Sequence, residues 1–127
     1  MTAHRFEEFK TWGTATHLEQ TSTVVSIAEI LPYTRSSNHV HHHNYNLFHV
    51  VKGTVIAIYV KIEDGKPVDV KKVTLGPNSM VCFGPGEWHR FECHDQNGAV
   101  MVETYWRGDE EPVSIADIER IDVGGGI

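Results

Sequence analysis

Two histidine segments, 48 residues apart from His41 to His89, constrain this chain more than any other feature. The first runs His39-Val40-His41-His42-His43-Asn44-Tyr45-Asn46-Leu47-Phe48-His49-Val50-Val51-Lys52-Gly53, and the second Gly84-Pro85-Gly86-Glu87-Trp88-His89-Arg90-Phe91. In an extended segment side chains alternate faces, so His39 and His41 point the same way and can put two imidazole nitrogens on one ion. A third imidazole at His89 completes a facial set if the chain between them folds back on itself.

The intervening and flanking sequence reads as short strands. Thr23 to Leu31 is β-branched and half-alternating and ends at Pro32, residues 33–38 form a loop, and His39 to His43 make a short strand. Asn44-Tyr45 is read as a turn, followed by a strand from Asn46 to Val51 that Lys52-Gly53 closes. Thr54 to Ile62 and Val68 to Leu75 are strands joined by Glu63-Asp64-Gly65-Lys66-Pro67, a hairpin signal. Gly76-Pro77-Asn78 turns the chain into Met80 to Phe83, and Trp88 to Cys93 and Ala99 to Trp106 supply the last strands. Strands this short and evenly punctuated predict an all-β antiparallel sandwich or barrel over residues 21–107, with residues 1–20 as an N-terminal arm. Ser114-Ile115-Ala116-Asp117 has capping-box spacing with Asp in place of Glu, and Ile115, Ile118 and Ile121 recur at helical spacing. These predict a short helix over 113–122, followed by a frayed glycine tail over 123–127.

At 127 residues, 40% of them hydrophobic, the sequence is expected to form a single domain with one core. Its formal charge of -6 is uneven, with seven acids against Arg107 and Arg120 from residue 103 onward and near-neutrality before it. That excludes the basic stripe a nucleic-acid surface needs. The first residues hold no apolar run of signal-peptide length, and no segment approaches the roughly 18 apolar residues of a membrane span, so a cytoplasmic home is expected. Cys82 and Cys93 are too few for a disulfide framework and lack zinc-ribbon spacing, which suits small buried residues of a reduced protein.

The two histidine segments resemble the motifs of the cupin superfamily. Its first motif runs His-x-His, three or four residues, Glu, six residues, Gly; here His39, His41 and Gly53 fit the spacing, while Asn46 stands at the Glu position. Its second runs Gly, five residues, Pro-x-Gly, two residues, His, three residues, Asn; Gly86 and His89 match, with Asn78, Gly84 and Cys93 at the first Gly, Pro and Asn positions. Asn at 78 tolerates the left-handed backbone a turn needs. A closer resemblance is to the cupin domain of type II phosphomannose isomerases. It is carried by Lys10-Thr11-Trp12-Gly13, His41-His42-His43, Val50-Val51-Lys52-Gly53, His89-Arg90-Phe91 and Asp117-Ile118-Glu119-Arg120-Ile121-Asp122. Those enzymes usually carry Pro at the Thr11 position and Glu at Asn46, and end Tyr-Gly-Arg where this chain has Gly124-Gly125-Gly126. The resemblance implies a jelly-roll barrel, a metal on His39, His41 and His89, and a homodimer paired through an N-terminal strand, with Trp12 as the expected interface residue.

Three neutral imidazoles suit one divalent transition metal, Zn, Fe, Ni, Mn or Cu, rather than Ca or Mg. Without the carboxylate, a divalent ion keeps its full charge, which favours an anionic or chelating small molecule. Asn46 is a candidate fourth or outer ligand position, and His43 a candidate alternative ligand. Alternation places Phe48, Phe91 and Cys93 with the ligands as pocket-lining residues and turns His49 away; His4, His17 and His94 have no partner pattern and read as ordinary. Three functions fit: a mononuclear metalloenzyme of isomerase type on a small oxygenated or sugar-like molecule, a three-His Fe(II) dioxygenase of the kind known among cupins, or a non-catalytic metal- or sugar-binding module. No general base can be assigned from the residues alone.

Overall fold

The structure, a computed structural model, describes residues 3–127, and among these every regular element is a strand. β1 (His4–Lys10) and β2 (Gly13–Glu19) form a hairpin within the residues read as an N-terminal arm. Gly13 permits it: with φ at 147°, a Cβ there would stand 2.0 Å from the Glu29 carbonyl oxygen of the next strand. That strand, β3 (Val24–Ile30), buries Val24, Ser26, Ala28 and Ile30 and turns the residues between them outward, the period-two pattern of a half-buried sheet.

Two strands of two residues, β4 (Thr34–Arg35) and β5 (His39–Val40), lead into the long β6 (Asn44–Lys52). The strand break falls at residues 41–43, one step earlier than the Asn44-Tyr45 turn predicted from sequence, because Asn44 already pairs with Arg107. β7 (Val55–Glu63) and β8 (Lys66–Leu75) make the expected hairpin through Asp64 and Gly65, both left-handed at φ 52° and 74°. β9 (Met80–Phe83) follows a turn in which Asn78 takes the left-handed φ of 68° that its side chain tolerates. β10 (His89–Cys93) and β11 (Ala99–Arg107) complete the main strands.

The predicted helix over 113–122 does not form. Residues 115–116 make a turn and Glu119–Arg120 become β12, paired antiparallel with β5. The Asp117 carboxylate that resembled a capping group accepts hydrogen bonds from residues 42–44 instead, so the local helix signal loses to tertiary pairing. The glycine tail is also ordered: β13 (Gly125–Gly126) pairs with β4, and the Ile127 amide donates to the Tyr33 carbonyl.

One sheet runs β1-β2-β3-β11-β6-β9; in the other, β10 pairs with β7, β4 and β5, with β8, β13 and β12 outermost. Ala28, Phe48 and Met101 of the first meet Ala57, Phe91 and Cys93 of the second in one core. Trp12, expected at a subunit interface, is buried in this core with its ring edge-on to Phe91 at 5.0 Å.

Phe48 is fully buried, edge-on to Phe83 at 5.2 Å. Phe48→Ala should cost about 3–5 kcal/mol in urea unfolding, the transfer and cavity terms together. A loss under about 1 kcal/mol would show that the two sheets are not joined through this residue.

Candidate metal centre

β10 brings the two histidine segments together. His89 is the antiparallel partner of His39 on β5, and cross-strand partners share a face, so their rings stand side by side with centroids 4.4 Å apart. His41, two residues on, returns to that face: its ring centroid is 5.2 Å from His39 and 5.3 Å from His89. One ligand nitrogen from each of the three lies within 4.8 Å of the others.

Each ring is aimed by its other nitrogen. The Nδ1–H groups donate to backbone carbonyls, His39 to Ser37, His41 to Asp117 and His89 to Glu87, each at 2.8 Å. This fixes the neutral tautomer with the Nε2 lone pair free, the outer-shell arrangement that orients metal-bound imidazoles. Nε2 of His41 and of His89 is buried without a partner, where an unmatched acceptor is costly. Burial first, then the neighbouring His41, pushes His39 down to about 3; burial also lowers His41 and takes His89 well below the usual imidazole range. Three buried imidazoles that stay neutral and converge form a donor set that fits a divalent transition metal.

The segment after β11 holds this geometry. The Asp117 carboxylate accepts from the amides of His42 at 3.0 Å, His43 at 2.9 Å and Asn44 at 2.7 Å, while its carbonyl holds His41. Asn44 donates to the Ser114 carbonyl at 2.8 Å, and the Asp122 carboxylate takes Asn38 through backbone and side chain at 2.9 and 2.6 Å.

Beside the cluster opens a cavity of about 680 Å³, walled by His39, His41, Trp12 and Phe91 and by two residues absent from the sequence reading, Glu103 and Tyr105. Both lie on the inner face of β11, where Ala99, Met101, Glu103 and Tyr105 alternate with outward residues. Burial raises the Glu103 carboxyl to about 7, although Tyr105, Asn46 and Lys10 nearby oppose the rise. Burial and the adjacent Glu103 push the Tyr105 hydroxyl well above its ordinary range, and its ring meets His41 edge-on at 5.4 Å. The period-two pattern of β11 was the available signal for Glu103, a lone acid on an otherwise apolar face. His17, read as ordinary, also lines the cavity: its Nε2–H donates to Glu8 at 2.7 Å and its Nδ1 meets the Ser26 hydroxyl at 2.6 Å. Its partners come from two other strands, so no local pattern marks it.

Asn46 is fully buried near His41 and Glu103, with neither amide atom matched to a partner at hydrogen-bonding geometry. His43 is exposed and outside the triad, and His42 is turned to Glu119 at 3.0 Å. Of the three predicted lining residues, Phe91 reaches the cavity wall, whereas Phe48 and Cys93 lie in the core, Phe48 with its ring 5.8 Å from His89.

His41→Ala and His89→Ala should each purify with less bound transition metal than the wild type, as measured by elemental analysis of untagged protein; full metal content in both would contradict the site. Proton linkage gives a second check. Glu103, raised from 4.5 to about 7, holds a proton in the folded protein across that window that the unfolded chain has lost, so it lowers stability as pH rises through it. The three lowered histidines act oppositely, the unfolded chain taking up protons below about pH 6.5 that the folded metal-free protein refuses. In metal-free protein, Glu103→Gln should therefore gain on wild type between pH 4.5 and 7, with the gap constant above. A pH-independent gap in urea titrations would show that Glu103 titrates normally.

A family model described as a cupin domain matches residues 26–105. No curated protein matches the chain. Among solved structures, oxalate decarboxylase from Bacillus subtilis aligns at a TM-score of 0.72 and 14% identity over 91% of this chain and 30% of its own, so this chain spans under a third of that enzyme. Another structure, in work on the Mn(II) centres of the same enzyme, aligns at a TM-score of 0.70 and 13% identity over 91% and 30% of the two chains. A conserved protein with a double-stranded beta-helix domain from Klebsiella pneumoniae aligns at 0.63 and 16% identity over 85% and 83%. At these identities the structural likeness is one of fold. The family match, in contrast, runs from inside β3 to Tyr105 and takes in all three converging histidines, and on that ground the chain belongs to the cupin family.

Proposed function

We propose that this cupin is a mononuclear metalloenzyme that moves a proton on a small oxygenated or sugar-like molecule, with isomerase-like chemistry. The observation that carries the reading is a buried carboxyl, Glu103, raised to about 7 by burial, on the wall of the cavity that His39 and His41 also line. A divalent transition metal on His39, His41 and His89 would polarise a carbonyl or hydroxyl oxygen brought to it. The Mn(II) centres of the Bacillus subtilis enzyme are a parallel for such an ion on a similar barrel.

Glu103 supplies what the sequence could not name, an acid or base whose ordinary working range is near neutrality. Tyr105, kept protonated by burial and by Glu103, can donate a hydrogen bond to a ligand oxygen. Asn46, in place of a carboxylate, sets a buried amide near His41 and Glu103 without adding negative charge. Trp12 and Phe91 form an apolar wall that limits water around these groups.

A second reading, a three-His Fe(II) dioxygenase, is favoured by one feature, the neutral Asn46 where a carboxylate ligand would stand. The two are separated by incubating Mn(II)- or Zn(II)-loaded protein with small hydroxyaldehydes and ketoses in D2O and following carbon-bound deuterium by NMR. Exchange is expected in wild type and should fall by roughly 100-fold or more in Glu103→Gln with metal content retained, the scale of general acid–base catalysis. Oxygen uptake by the Fe(II)-loaded protein with no exchange would replace this reading with the second, and neither activity above a His41→Ala background would remove both.

A further inference from the structure

The arginines of this protein separate into two groups. Arg5, Arg35, Arg90 and Arg107 each hold a carboxylate, Glu7, Asp122, Glu92 and Asp109, at 2.7 to 3.3 Å. Arg120 has no ion-pair or side-chain hydrogen-bond partner among the described residues. Its position is set by β12, where it is the direct antiparallel partner of His39, and cross-strand partners project to the same face. It lines the cavity beside the histidine cluster. Its charge reaches inward as well, contributing to the lowering of His39 and His41 and opposing the rise of Tyr105.

A guanidinium beside His39 works against a bound cation, and no carboxylate stands at the Asn46 position to offset it. Of the other charged groups in the cavity, Lys10 holds Glu8 at 3.2 Å and Glu8 holds His17, while Glu103 lies on the wall formed by β11, whereas Arg120 stands on β12 beside His39. The Asp122 carboxylate also acts on His39 but is held by Arg35 at 3.3 Å, so Arg120 is left with a planar fork of donors that no carboxylate occupies, a geometry suited to an oxyanion.

We propose that Arg120 is the anion-binding residue of this cavity, taking the carboxylate or phosphate group of a small ligand whose remaining oxygens face the histidine cluster. The proposal rests on the reading of His39, His41 and His89 as a metal centre and deepens it by naming the ligand class, a small oxyanion-bearing molecule. Arg120 is a binding residue here, and its exposed side chain can be replaced without opening the core.

The test uses three probes, glycolate, inorganic phosphate and neutral ethylene glycol, titrated calorimetrically at constant ionic strength into metal-free and Zn(II)-loaded wild type, Arg120→Gln and Arg120→Lys. Zinc affinity is measured separately for each protein and for His41→Ala. In wild type, one of the two anions should bind in both metal states, more tightly with zinc, and which of them binds tighter identifies the group as carboxylate or phosphate. Arg120→Gln should weaken that anion roughly tenfold or more. Arg120→Lys should fall between, and the response to ethylene glycol should not change. Zinc should bind Arg120→Gln more tightly than wild type, since a repelling charge is gone, an effect that a merely structural role for Arg120 would not produce. Equal anion affinity in wild type and Arg120→Gln, or no anion binding by wild type in either metal state, overturns the proposal. Equal zinc affinity in wild type and His41→Ala overturns instead the metal-centre reading on which it rests, and the anion titrations of the metal-free proteins then decide Arg120 alone.

Discussion

Three imidazoles buried within 4.8 Å of one another must be kept from protonating and from rotating: burial does the first, and the bonds from their Nδ1 atoms to backbone carbonyls do the second. A neutral ring that donates through Nδ1 has a single remaining lone pair, and the carbonyl decides where it points. Two of the accepting carbonyls, Ser37 and Glu87, belong to residues two positions before the histidine they hold, so those contacts come with the local chain path. The third, from Asp117, crosses 76 residues and makes the site depend on the C-terminal segment.

That dependence explains why the segment departs from helix. The Asp117 carboxylate takes the amides of residues 42 and 43, in the gap between β5 and β6 where the sheet ladder is broken, and that of Asn44 at the start of β6. Amides in such a break need an acceptor, and a carboxylate meeting three of them is stronger than one capping a single helical turn. β12 and β13 extend the same logic, giving the short strands β5 and β4 a second neighbour each. Arg120 reaches the cavity through this pairing.

The polar lining of the cavity comes from both sheets, His39 and Arg120 from one and His17 and Glu103 from the other. His17, Ser26 and Glu103 are consecutive cross-strand partners on β2, β3 and β11, in a row that continues to the apolar Phe48 on β6. Placing a carboxyl there raises its affinity for a proton, the usual way a fold adapts a carboxylic acid to exchange protons near neutral pH. The apolar core and the reactive lining thus share strands and differ by position along them.

The sequence by itself determined the main strands β3 and β6 to β11, the β7–β8 hairpin, the Asn78 turn and the pairing of His39 with His41, because alternation and turn chemistry act over a few residues. The spacing of the two histidine segments also located His89, since the resemblance it carries spans strands that were visible individually. What it left out depended on contacts between strands far apart in the chain. The β1–β2 hairpin was read as an arm because its alternation is weak and its edge strand largely exposed. The helical spacing of Ile115, Ile118 and Ile121 was real but local, and the amides of residues 42–44 that compete for Asp117 are invisible from it. Trp12, Glu103, His17 and Arg120 acquired their places from the neighbours that the sheets set against them, Phe91, Tyr105, Ser26 and His39. A side chain's role in a cavity is decided by burial and by which partners share its face, and for these residues both were decided only when the strands paired.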